Sequence, residues 1–175
     1  MPAFANASRL ALADIIDIMN WTDLKTHVYF QDGSLRDIYV RRMAIDDWRR
    51  WIEHSNSIYI VQFRLDGVHI ADKIDFSAVS KYWGKSESAF PSASLTLGDI
   101  LLQIHLGDET ELELDLSPKD IQTIDDHRTL MNYLLSISNL LHKTVELTME
   151  SPAAVDEILL SIRFGEVRVI RSEIL

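Results

Sequence analysis

The chain has 175 residues, 47% of them apolar, a net charge of −10 at neutral pH and no cysteine. That length favours one domain, residues 1–175, with a core large enough to close without staples. The lack of cysteine excludes disulfides, thiolate zinc sites and cysteine nucleophiles, and no apolar run approaches the roughly 18–20 residues that span a bilayer.

Met1–Leu12 lacks a basic segment, and Asp14 and Asp17 interrupt the apolar stretch after it, so a signal peptide is not expected and a cytoplasmic location is. Leu10, Leu12, Ile15, Ile16 and Met19 predict an N-terminal helix within residues 1–24, over Ser8 to Asn20. Residues 25–75 read as hairpin, helix, hairpin. Thr26, Val28 and Phe30 alternate with Lys25, His27 and Tyr29, and Asp32-Gly33 suits a type I′ turn before a return strand at Leu35–Val40. Asp46 is the expected cap of a helix that gathers Trp48, Trp51 and Ile52 on one face and ends near His54. Ser57–Leu65 and Val68–Ile74 form the next hairpin around Asp66-Gly67.

Residues 76–94 read as a short helix and a loop. Asp75 caps the helix, Ala78, Val79, Tyr82 and Trp83 share a face, and Gly84 stops it. The serine-rich segment 85–94 reads as a loop rather than a linker between domains, since each half would have a thin core. Residues 95–175 read as a sheet with one long helix. Leu95–Leu106 gives one or two strands, and in Thr110–Leu116 the leucines 112, 114 and 116 alternate with Glu111, Glu113 and Asp115. Ser117-Pro118 starts a short turn, and Asp125-Asp126 opens the long helix, 126–142, whose stripe is Leu130, Leu134, Ile137 and Leu141. After His142-Lys143 the period changes from 3.6 to two, giving a strand through Val145, Leu147 and Met149. Leu160, Ile162 and Phe164 begin a last hairpin that turns at Gly165-Glu166, in preference to a helix over 153–162. The fold class is therefore α+β: a mainly antiparallel sheet built from hairpins, with helices packed on one face.

Motifs for chemistry are sparse. Nucleophile-elbow, P-loop and dinucleotide glycine patterns are absent, and the six histidines show no i,i+4 pair of a helical zinc site. Trp48, Trp51, Tyr82 and Trp83 read as core more readily than as a binding platform, because each ring removes so much apolar area from water. Arg41-Arg42 and Arg49-Arg50 lie too close to Asp46 and Asp47 to argue for nucleic acid. The charge is uneven. Residues 1–88 hold 11 basic and 12 acidic side chains, and residues 89–175 hold 6 and 15. Eight acids and one lysine fall between 108 and 126. On a strand, Glu111, Glu113 and Asp115 project to the same side about 7 Å apart. These three, with Asp108 and Asp125 at the rim, are the candidate partner-binding residues, suited to meeting Lys and Arg on another protein. A solvated sheet face is the plain alternative.

The run Asp32-Gly33-Ser34-Leu35-Arg36-Asp37-Ile38-Tyr39-Val40, followed by Asp47-Trp48, resembles the opening of small, acidic, uncharacterised bacterial proteins. Leu134-Leu135, Leu140-Leu141, Lys143, Val145-Glu146-Leu147-Thr148 and Glu150 resemble them too. Such proteins are of the kind proposed as immunity proteins for polymorphic or contact-dependent toxins. The resemblance covers about a third of the chain and implies a toxin domain as partner; it implies no catalytic residue. The expectation is a non-enzymatic binding module with a basic protein partner, without cofactor, metal, nucleic acid or membrane. Two alternatives are a metal-dependent hydrolase using carboxylates with His105 or His127, and a structural or adaptor protein.

Overall fold

The computed structural model describes residues 20–150 and 157–169. The helix expected over Ser8 to Asn20 lies, apart from Asn20, outside the described residues. Along the chain come α1 (Trp21–His27), β1 (Arg36–Arg41), α2 (Ile45–Ile58), β2 (Ile60–Leu65), β3 (Val68–Ala71) and α3 (Phe76–Trp83). There follow β4 (Pro91–Leu97), β5 (Ile100–His105), β6 (Glu111–Leu116), α4 (Ile124–Leu141), β7 (Val145–Met149), β8 (Ile158–Arg163) and β9 (Glu166–Val169).

The nine strands form one sheet in the order β3-β2-β4-β5-β6-β1-β7-β8-β9, antiparallel throughout. The fold is α+β. Its core lies between one sheet face and the helices. Ile38 and Val40 of β1, Leu112, Leu114 and Leu116 of β6, and Val145 and Leu147 of β7 are buried there, with the α4 stripe Leu130, Leu134, Ile137 and Leu141. Period two on the strands and period 3.6 on the helix thus meet in one apolar layer. Trp48 and Trp51 are fully buried in an edge-to-face pair with centroids 5.8 Å apart, and the Trp48 indole N–H donates to the Glu109 carbonyl at 2.7 Å. They are core residues.

Several local expectations change. The first strand of the predicted 25–40 hairpin does not form: residues 21–27 are helical, and a loop leads to β1. Asn20 caps α1, its Oδ1 accepting the Asp23 N–H at 3.0 Å. A half-buried strand would send Val28 and Tyr29 to opposite faces. Here both are buried, and the Tyr29 hydroxyl meets His127 Nδ1 of α4 at 2.8 Å. The loop is then tied down by Arg36, fully buried, which donates to the carbonyls of Val28, Phe30 and Leu35. The cap of α2 is Ala44 rather than Asp46; Asp47 accepts the Ala44 N–H at 2.9 Å. That helix runs on to Ile58, past His54, and takes the first residues expected of the following strand. Thr123 caps α4, with Asp126 as its reciprocal partner, so the helix begins at Ile124 and Asp125-Asp126 occupy its first turn. Pro91 to Ser94, expected in the loop, belong to β4. Ile158–Arg163 is a strand, as preferred over the competing helix.

Candidate partner-binding face

Because the helices cover one face of the sheet, alternate residues of each strand project from the other. Antiparallel register decides which of them become neighbours. Asp37, Tyr39 and Arg41 of β1 face Asp115, Glu113 and Glu111 of β6 in turn. On the other side of β1, Asp37 is opposite Thr148 and Tyr39 opposite Glu146 of β7. Beyond β6, Gln103 and His105 of β5 stand opposite Asp115 and Glu113. The centre of the face is therefore acidic, and it spans three strands far apart in sequence.

Only part of the charge is neutralised within the face. Arg41 Nη1 reaches Glu111 Oε2 at 2.6 Å, and Arg41 Nε lies 3.6 Å from Glu146 Oε2, its guanidinium stacked 4.7 Å over the Tyr39 ring. His105 Nε2 is 2.6 Å from Asp115 Oδ2, and that bond draws the imidazole pKa upward. The Tyr39 hydroxyl donates to Glu113 Oε1 at 3.2 Å and stands 3.5 Å from Asp37 Oδ2. Glu150, at the end of β7, accepts the Leu35 N–H at 2.6 Å.

Asp37 is the exception. It is only 9% exposed, and among the described residues the hydroxyl nearest its carboxylate, that of Tyr39 at 3.5 Å, is shared with Glu113. Burial, then the charges of Asp115, Glu113 and Glu150, push its pKa up to about 6. Like charges directly opposite on neighbouring strands oppose pairing, by some 0.2–1 kcal/mol in exposed cases.

The five residues expected to bind a partner divide. Glu111, Glu113 and Asp115 share the open face, as alternation requires. Asp108 lies in the turn before β6, where its carboxylate accepts the Thr110 N–H at 2.7 Å. Asp125 stands in the first turn of α4, in the helical layer beyond the opposite end of β6, and pairs with Arg128 at 3.0 Å. The structure thus does not bring Asp125 to the face that holds the acidic strand. It adds Asp37, Glu146 and Glu150, which sequence reasoning missed. Their alternation was visible; their adjacency to β6 was not, since nothing local in the chain specifies which strands pair.

The arrangement is a face and not a cleft. Among the described residues, two open depressions of about 610 and 470 Å³ lie elsewhere, around Tyr82 and Trp83 and around Tyr59 and Tyr133, and a smaller one of about 180 Å³ lies beside the face, lined by Ser161, Arg163 and Arg168. Among the described residues no three His, Asp or Glu side chains are grouped to hold a metal ion, and no helix is long and apolar enough to cross a membrane. Compared with family models, curated proteins and solved structures, the chain matches none.

Proposed function

We propose that this is a non-enzymatic protein-binding module that takes a basic protein domain on the open face of its sheet, and that the partner is a bacterial toxin domain which it neutralises. The observation that supports the reading is the juxtaposition of Asp37, Asp115 and Glu113 across β1 and β6, with Glu146 on β7 and Glu150 just past its end. Lys and Arg side chains of a partner relieve repulsion already present in the free protein, so complementarity acts on both approach and register. A flat, charged face suits a macromolecular surface better than a small molecule, which binds in concave, mostly apolar sites. The toxin assignment rests on the resemblance of the two sequence runs.

The test joins binding to protection. Tagged protein is used to recover a stoichiometric basic partner at low salt, with release at high salt. The partner's gene is then expressed with and without this chain. Growth arrest by the partner, relieved by the wild-type chain and not by Glu113→Lys, is the expected result. A partner that binds but never arrests growth would return the chain to the adaptor reading. Full protection by a folded Glu113→Lys, Asp115→Lys double variant would remove the acidic face from the proposal.

A further inference from the structure

We propose that this face exchanges a proton for its cationic partner: the Asp37 carboxyl is protonated in the free protein in weak acid and ionises when a guanidinium or ammonium settles beside it, so that association tightens from acid toward neutral pH. The inference rests on the binding reading above and concerns the regulation of the same face.

The geometry makes Asp37 the group that holds the proton. As a residue Asp37 is only 9% exposed, the Tyr39 hydroxyl 3.5 Å from its carboxylate is shared with Glu113, and acids lie on β6 and just past the end of β7. From β6 it meets Asp115 and Glu113, and from the residue just past β7 Glu150, with Glu146 of β7 opposite the adjacent Tyr39. On its own strand Tyr39 offers a hydroxyl, and Arg41 is engaged with Glu111 and Glu146. The nearest cation along β1, Arg36, projects to the other side of the sheet, where loop carbonyls and the Ser34 hydroxyl take its donors. His105 of β5 is bonded to Asp115 and meets the charge of Asp37 only through space. No cation of the described residues is thus hydrogen-bonded to Asp37.

An ionised Asp37 is opposed here by desolvation and by three carboxylates, and these together place its titration near pH 6. An arriving partner cation reverses the balance. The O–H bond of the carboxyl breaks, the proton passes to buffer, and the partner's charge takes its place.

The experiment is calorimetric titration of the full chain with an oligo-arginine peptide, in two buffers of equal pH and different ionisation enthalpy. About half a proton released per complex is expected near pH 6, approaching one near pH 5 and none at about pH 8, with affinity roughly tenfold tighter at about pH 7 than at about pH 5. Asp37→Asn should lose most of that release and bind at neutral pH about as the wild type does in acid. Binding with identical heats in both buffers would overturn proton exchange and leave the binding reading standing. Failure to bind at low salt would overturn the binding reading and this inference with it. Carbon-detected NMR titration of the free protein provides a separate arm: an Asp37 carboxyl that titrates near 4 overturns the inference whatever the peptide does.

Discussion

Two carboxylates, Asp37 and Asp47, are nearly equally buried, at 9% and 6% exposure, and behave in opposite ways. Asp47 sits at the start of α2 in the helical layer. It accepts the Ala44 N–H and pairs with Arg50 at 2.6 Å and Lys143 at 3.2 Å. Desolvation works against its charge, but the Ala44 bond and the two cations prevail, and its pKa falls below the usual carboxylate range. Asp37, on the open face, has acids where Asp47 has cations, and its pKa rises. Burial alone therefore does not decide whether a carboxylate is structural; its partners do. One joins α2 to the α4–β7 connection. The other is left with an electrostatic demand that another molecule can meet.

The largest break in that comparison is Asp47→Ala, which removes an acceptor from the helix N-terminus and leaves Arg50 and Lys143 without it. We expect a loss of about 2–4 kcal/mol in urea unfolding, and a loss under about 0.5 kcal/mol would deny Asp47 its structural role. Asp37→Asn should do the reverse, stabilising the protein by on the order of 1–2 kcal/mol at neutral pH and little below about pH 4, because solvent beside the face screens part of the repulsion. Thermal unfolding of the two variants side by side reads both signs.

The pH dependence of the wild type sharpens the contrast. Folded protein holds the Asp37 proton up to about pH 6, while the unfolded chain releases it near the ordinary value of 3.8, so stability contributed by this group falls as pH rises across that window. His105, with its pKa raised, extends the fall above its ordinary value of 6.5. Asp47, with its pKa lowered, contributes stability present above the unfolded value and lost as pH drops through the folded one. Stability should therefore peak on the acid side of neutrality, and Asp37→Asn should flatten its decline above about pH 4. A profile that rises steadily from pH 4 to 7 in both proteins would contradict the placement of Asp37.

Smaller effects map the face. Glu113→Lys should slow association with the recovered partner roughly tenfold at low salt, an effect that raised salt erases. Asp125→Asn should change stability by less than about 0.5 kcal/mol, since an exposed pair is worth little, and should leave association unchanged. An equal slowing by both would move the docking surface to the helical side.

Much of this architecture was legible in the chain. The switch of period after His142 locates α4 and β7, and the leucines of β6 identify the buried side of the sheet, hence the open one. The misread segment, 25–30, carries a true alternation of apolar and polar residues that tertiary packing overrides. A competing signal was present: Asn20 and Asp23 form a capping pair, and Trp21, Leu24 and Val28 follow at helical spacing. The site was half legible. Alternation brings Glu111, Glu113 and Asp115 together, but Asp37 reaches them only through a pairing between residues remote in sequence, and Asp125 is near them only along the chain.

The position of β1 has a consequence for synthesis. It lies between β6 and β7, joining a five-strand block to a three-strand block, although it is synthesised before every other strand of the described residues. Its partner residues follow it by more than a third of the chain on one side and more than half on the other. Ile38 and Val40 must wait, apolar and unpaired, while the later hairpins β4-β5 and β8-β9 can zip as soon as they emerge. The nascent chain therefore exposes its central strand longest, and a holdase that recognises short apolar segments has its first target there.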